Sequence, residues 1–167
     1  MNLSLHLGDI ALWSVVATIV LTLTMALSQA WGWTRTSFPY MIGSIVSPRR
    51  DTAMVSGIIL HFVFGLIFAL GYVLLFRSIS LSTWWLGMLF GLVHGLFVLV
   101  VVMPVFPVVH PRMAGKHHGP TPTPQLEPPG YFALNYGRRT PYVTLFAHVL
   151  YGGILGLFAQ FAGASAA

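Results

Sequence analysis

The chain has 167 residues, of which 56% are hydrophobic and only 7% charged. A soluble domain carries about 25% charged residues, so this composition excludes a surface built to face water on all sides. The absence of cysteine excludes disulfides and iron–sulfur clusters, and eight basic residues, spread along the chain for a net charge of +5, are too few for a nucleic-acid surface.

In chain order, the first apolar run covers residues 10–31 and is long enough to cross a hydrocarbon core of ~30 Å. The segment before it has no Lys or Arg, so the run lacks the basic flank of a signal peptide. Ser28 and Ala30 only weakly imitate a cleavage site, and the run is expected to remain as a helix. The second run, 53–76, follows Ser47-Pro48, which reads as an N-cap and first helical residue. Asp51 suits the positive end of that helix. The third run, 84–103, is capped by Ser82 or Thr83, with Pro104 and Pro107 marking its end or a kinked extension. A loop at 104–141 holds nine of the eleven prolines and favours extended polyproline II around Pro120 to Pro124. Within it, residues 130–136 read as a short interfacial turn, and Glu127 as a partner for an arginine. The fourth run, 142–161, starts after Thr140-Pro141. None of the four runs contains Asp, Glu, Lys or Arg.

The expected fold is therefore all-α: a single transmembrane domain, 1–167, folded as a four-helix bundle in the lipid bilayer. Arg35, Arg49 and Arg50 lie between the first two runs, and Arg112, Lys116, Arg138 and Arg139 between the last two; only Arg77 lies on the other side. The positive-inside rule then puts both long loops in the cytoplasm and both termini outside. Trp31 and Trp33, with Trp84 and Trp85, fit aromatic anchors at opposite interfaces.

Three runs carry small residues four apart, which share one helix face. The second has Ala53, Gly57, His61, Gly65 and Ala69. The third has Gly87, Gly91 and Gly95, with His94 beside that row. The fourth has Thr144, His148, Gly152, Gly156 and Gln160. Such faces let helix backbones approach closely in lipid. They suggest a compact, non-enzymatic packing or assembly module, as a homo-oligomer or an accessory subunit of a larger membrane complex.

Glycines alone do not explain three histidines inside membrane runs, where ionisable residues are costly and mark function by default. By a rise of ~1.5 Å per residue, His61, His148 and His94 fall ~12, ~9 and ~14 Å from the cytoplasmic ends of their spans. Met25, on a face with Thr18, Thr22 and Gln29, falls at a similar depth. Each imidazole can make a separate structural hydrogen bond. Alternatively, two can ligate haem b, or His61, His94 and His148 with Met25 can hold a copper, zinc or iron ion. A third reading is a small transporter or proton channel, because imidazole titrates near neutral pH. The lack of intramembrane carboxylates argues against a proton-driven pump. In the loop, His110, His117 and His118 form an alternative peripheral metal set, against the simpler reading of a basic loop facing lipid headgroups. No Walker loop, G-x-S-x-G, H-E-x-x-H or carboxylate pair is present.

The stretches 38–43 (FPYMIG), 110–114 (HPRMA), 127–131 (EPPGY) and 135–139 (NYGRR) resemble those of small bacterial four-helix integral membrane proteins of unassigned function. The resemblance implies a multi-pass protein of the bacterial inner membrane and brings no activity or site residue with it.

Overall fold

The computed structural model describes residues 7–115 and 125–164. Lys116, His117, His118 and the Pro120–Pro124 tract fall outside the described residues. The described chain is all-α. Helix α1 spans Leu7–Ala30, α2 Phe38–Val46, α3 Arg50–Ser78, α4 Trp84–Phe97, α5 Met103–Val109 and α6 Thr140–Ala164. A π-helical turn, Val98–Val102, joins α4 to α5, and a short helical turn spans Tyr131–Tyr136. Four stretches are long and apolar enough to cross a membrane: Leu7–Ala30, Arg50–Ser78, Trp84–Val109 and Thr140–Ala162. The chain is a multi-pass membrane protein on that ground.

Burial along α3 shows how these helices suit lipid. Its buried stripe is Ala53, Gly57, His61, Gly65, Ala69 and Tyr72, whereas Ile59, Val63, Ile67 and Leu74 are exposed. Small and polar groups therefore face protein, and branched apolar groups face outward. Water would penalise such an outer surface. Lipid does not, and helix contact there comes from close backbone packing rather than from hydrophobic burial.

The spans start and end close to where the sequence places them, with three differences. Helix three runs past the 84–103 run and does not stop at Pro104, which is the kinked extension that the prolines also allowed. The bond from Met103 N–H to Val98 O closes a five-residue turn, and the helix continues to Val109. A proline ring clashes with the carbonyl four residues back, and the widened turn makes room for Pro104, whereas Pro107 lies inside α5. Second, the 32–52 connection contains α2. Ser37 precedes Phe38-Pro39, the same pairing of polar residue and proline that signals the other starts. At nine residues, α2 is too short to register as an apolar span. Third, the caps differ in detail. Thr83 caps α4 through its hydroxyl to Leu86 N–H at 3.4 Å, whereas Ser82 donates to Ala159 O at 3.2 Å. Thr140 lies inside α6 and shares a 2.7 Å hydroxyl bond with Thr34.

The residues cluster into two compact units. Among the described residues, one comprises 7–24, 62–95 and 145–164; the other comprises 25–61, 96–115 and 125–144. In the second unit, α2 and α3 meet backbone to backbone. A Cβ on Gly43 would lie 1.7 Å from Ala53 O, and one on Gly57 1.7 Å from Pro39 O. The loops of this unit are clasped by Arg35, which pairs with Glu127 at 3.0 Å and donates to Asn135 O at 2.5 Å. This meets the expectation that Glu127 pairs with an arginine. The clasp holds an uncommon backbone: Phe132 and Ala133 have φ of 53° and 57°, and Gly130 precedes them at 71°. A side chain on Gly130 would run into the Asn135 amide, 2.7 Å away, so only glycine fits.

Tyr136 completes the clasp by donating its hydroxyl to Glu127 O at 2.6 Å. Burial pushes its phenol up from 10.0 to about 12; the Glu127 charge adds to the rise and Arg35 opposes it. The folded clasp thus favours the neutral donor. Its contribution is complete below the ordinary phenol value of 10.0 and is lost as pH climbs towards about 12. An alkaline loosening of the loops in that window is expected in the native protein and should vanish in Tyr136→Phe. Tryptophan fluorescence from Trp33 follows it, because Arg139 stacks over that ring at 5.3 Å. An unchanged transition in the variant would assign the loosening to another group.

Candidate functional site

The first unit contains two glycine seams. Between α4 and α6, Gly87 and Gly91 face Gly152 and Gly156. A Cβ on Gly87 would lie 2.2 Å from Gly152 O, and one on Gly152 would lie 2.1 Å from Gly87 O. Between α1 and α3, the Thr18 side chain fills the space over Gly65. Thr18 is buried. Trp13 stacks on Phe158 at 5.3 Å and ties α1 to α6. Tyr151 donates its hydroxyl to Gly65 O at 2.5 Å and ties α6 to α3.

These close approaches place His94 of α4 against His148 of α6. Their ring centroids are 4.7 Å apart at an interplanar angle of 81°. Gly95 makes the room: a Cβ there would stand 3.1 Å from His148 Cβ and 3.3 Å from its Cγ. The His94 ring lies against Phe68 at 3.9 Å between centroids, with Tyr72 and Tyr151 at 6.1 and 6.0 Å. The Tyr72 hydroxyl is 3.5 Å from His94 Nδ1, the outer limit of a hydrogen bond. When the phenol donates, the ring proton of neutral His94 sits on Nε2. His148 and Tyr72 are buried, and His94 is half-buried. Among the described residues of this unit, the charged side chains are Asp9 and Arg77, in the first turn of α1 and the last turn of α3. Two imidazolium charges 4.7 Å apart would repel by about 3.5 kcal/mol at an effective dielectric of ~20.

Of the residues the sequence proposes, His94 and His148 are brought together. His61 lies in the second unit, on α3, edge-on to Phe38 at 5.2 Å. Met25, also of the second unit, is buried. Among the described residues, no three His, Cys, Asp or Glu form a group that could hold a metal ion. His110, of the proposed peripheral set, is fully buried with both ring nitrogens engaged: Nδ1 accepts from Arg112 N–H at 3.0 Å, and Nε2 lies 2.9 Å from Met41 O. It holds α2 and the start of the following loop; His117 and His118 lie outside the described residues. Gly57, Gly65, Gly87, Gly91, Gly95, Gly152 and Gly156 all make close contacts, and every such contact is within this chain.

Sequence reasoning missed Tyr72, Tyr151 and Phe68. The signal was present for two of them. Tyr72 continues the α3 stripe, eleven residues or about three turns beyond His61. Tyr151 follows His148 by three and shares its face.

No family model matches the chain, and no curated protein or solved structure is significantly similar to it.

Proposed function

We propose that the protein is a small, non-enzymatic proton-conducting protein of a bacterial cytoplasmic membrane, with both termini outside and both long loops inside. The observation that carries this reading is the contact of His94 and His148 beside the Tyr72 hydroxyl. Imidazole is the side chain suited to gaining and losing a proton near neutrality, and intramembrane histidines serve in proton relays. A channel, rather than a pump, fits a first unit whose only acidic residue stands in a terminal turn. The arginine distribution supports the orientation.

The assembly reading loses its main support. The glycine faces that motivated it are closed by this chain's own helices.

The test is purified protein in liposomes carrying an internal pH dye. A pH step is expected to collapse faster than in empty liposomes, and His94→Gln and His148→Gln should each slow it several-fold. Collapse no faster than in empty liposomes would overturn the reading. Metal analysis of the same sample examines the competing metal-site reading; stoichiometric copper, zinc or iron lost in both variants would replace proton conduction with metal binding.

A further inference from the structure

We propose that His94 and His148 form one proton site rather than two, with Tyr72 as the positioning residue that orients His94. The proposal rests on the proton-conduction reading for its use, but not for its geometry. The rings are in edge-to-face contact at 4.7 Å, so the charge on one is felt directly by the other. The first proton bonds to a ring-nitrogen lone pair. The proton comes from hydronium: one N–H bond forms as one O–H bond of hydronium breaks and water leaves, and the pair goes from neutral to a single positive charge. A second proton would set two like charges in ring contact.

The titratable groups facing the pair are few. From α3 there is Tyr72, and from α6 there is Tyr151 beside His148 itself. The rings of Phe68, Tyr72 and Tyr151 surround His94, with centroids 3.9, 6.1 and 6.0 Å from its own. Gly91 belongs to the device, since a Cβ there would lie 2.2 Å from His148 O, and Gly95 adds a close approach, 3.1 Å from a Cβ to His148 Cβ.

The experiment is nitrogen-15 NMR of the histidine-labelled full chain in lipid nanodiscs, titrated between about pH 5 and 8. Signals are assigned with single His→Gln variants. His94 and His148 are expected to change together, with one proton gained per pair. His148→Gln should displace the His94 transition. Tyr72→Phe, which keeps the ring and removes only the hydroxyl, should also displace it while leaving the fold intact; it serves as the second variant if His148→Gln does not fold. Two independent transitions totalling two protons, no transition in either ring, or a His94 transition unmoved in both variants would each overturn the proposal. Uptake of one proton without liposome flux would sink the conduction reading and leave the shared site standing. Flux with independent titrations would do the reverse.

Discussion

Gly91→Ala is expected to destabilise the protein by more than about 3 kcal/mol, the upper end of ordinary overpacking. The added methyl would meet His148 O at 2.2 Å and Val149 Cα at 2.9 Å. Both are backbone atoms of a helix and cannot rotate aside, so α4 and α6 must separate along the whole seam. Separation at Gly91 also removes the contacts at Gly87, Gly152 and Gly156, because the four glycines share one interface. The effect is therefore larger than that of one methyl in an adaptable core. It should extend to the site, because His148 is seated over Gly91 and Gly95. Gly71→Ala is the matching control. Gly71 lies in α3 with nothing within 4 Å of a new methyl, and the change should be neutral or stabilising by up to about 1 kcal/mol through helix propensity. Thermal or denaturant unfolding in one detergent compares the two. Equal midpoints would mean that the seam does not hold the helices together.

That contrast bears on what could be read from the chain. The four spans were legible because 18 or more apolar residues without charge have few other fates. The seam faces were also legible: residues four apart must share a face, and glycine has a reason to be there only where another backbone comes near. What the pattern does not encode is the partner. Gly57 meets α2 (Pro39 and Gly43), an element too short to show as a span, and Gly65 meets a threonine on α1. The site was half legible for the same reason. His94 and His148 stand out as ionisable residues in apolar runs, but neither Phe68 nor Tyr72 differs from other aromatic residues in a membrane helix. The π turn was hidden because Val98–Val102 has no polar signature. Only the prolines after it mark the place, and they are equally consistent with a helix end.

His110 shows the opposite case, a histidine whose sequence context suggests chemistry and whose surroundings give it a structural role. Its ring joins three segments of the second unit. Nε2 lies 2.9 Å from Met41 O and 3.2 Å from Ser44 Oγ on α2, and Nδ1 accepts from Arg112 N–H at 3.0 Å. Because Nδ1 is an acceptor, Nε2 carries the proton and donates it to Met41 O. Arg112 adds two bonds to the last turn of α2, to Ser44 O at 2.6 Å and Ile45 O at 2.9 Å. These carbonyls have no partner within the helix, and a cation there also meets the negative end of the helix dipole. His110→Ala removes the ring from a fully buried position and takes the partner of Arg112 N–H, while Met41 O keeps the Ser44 hydroxyl at 2.7 Å. At about 1–3 kcal/mol for a buried group left unsatisfied, the loss should be about 1–3 kcal/mol before any cavity cost. Arg112→Ala should cost less, because part of its side chain is in contact with solvent and water can replace its bonds. Hydrogen exchange locates the damage. In His110→Ala, the amides of Phe38–Val46, and those of Ala114 and Leu126 in the short bridge beyond, should lose protection before those of Trp84–Phe97. Uniform loss along the chain would mean that His110 supports the fold as a whole, and undiminished protection in α2 would mean that it does not hold that helix.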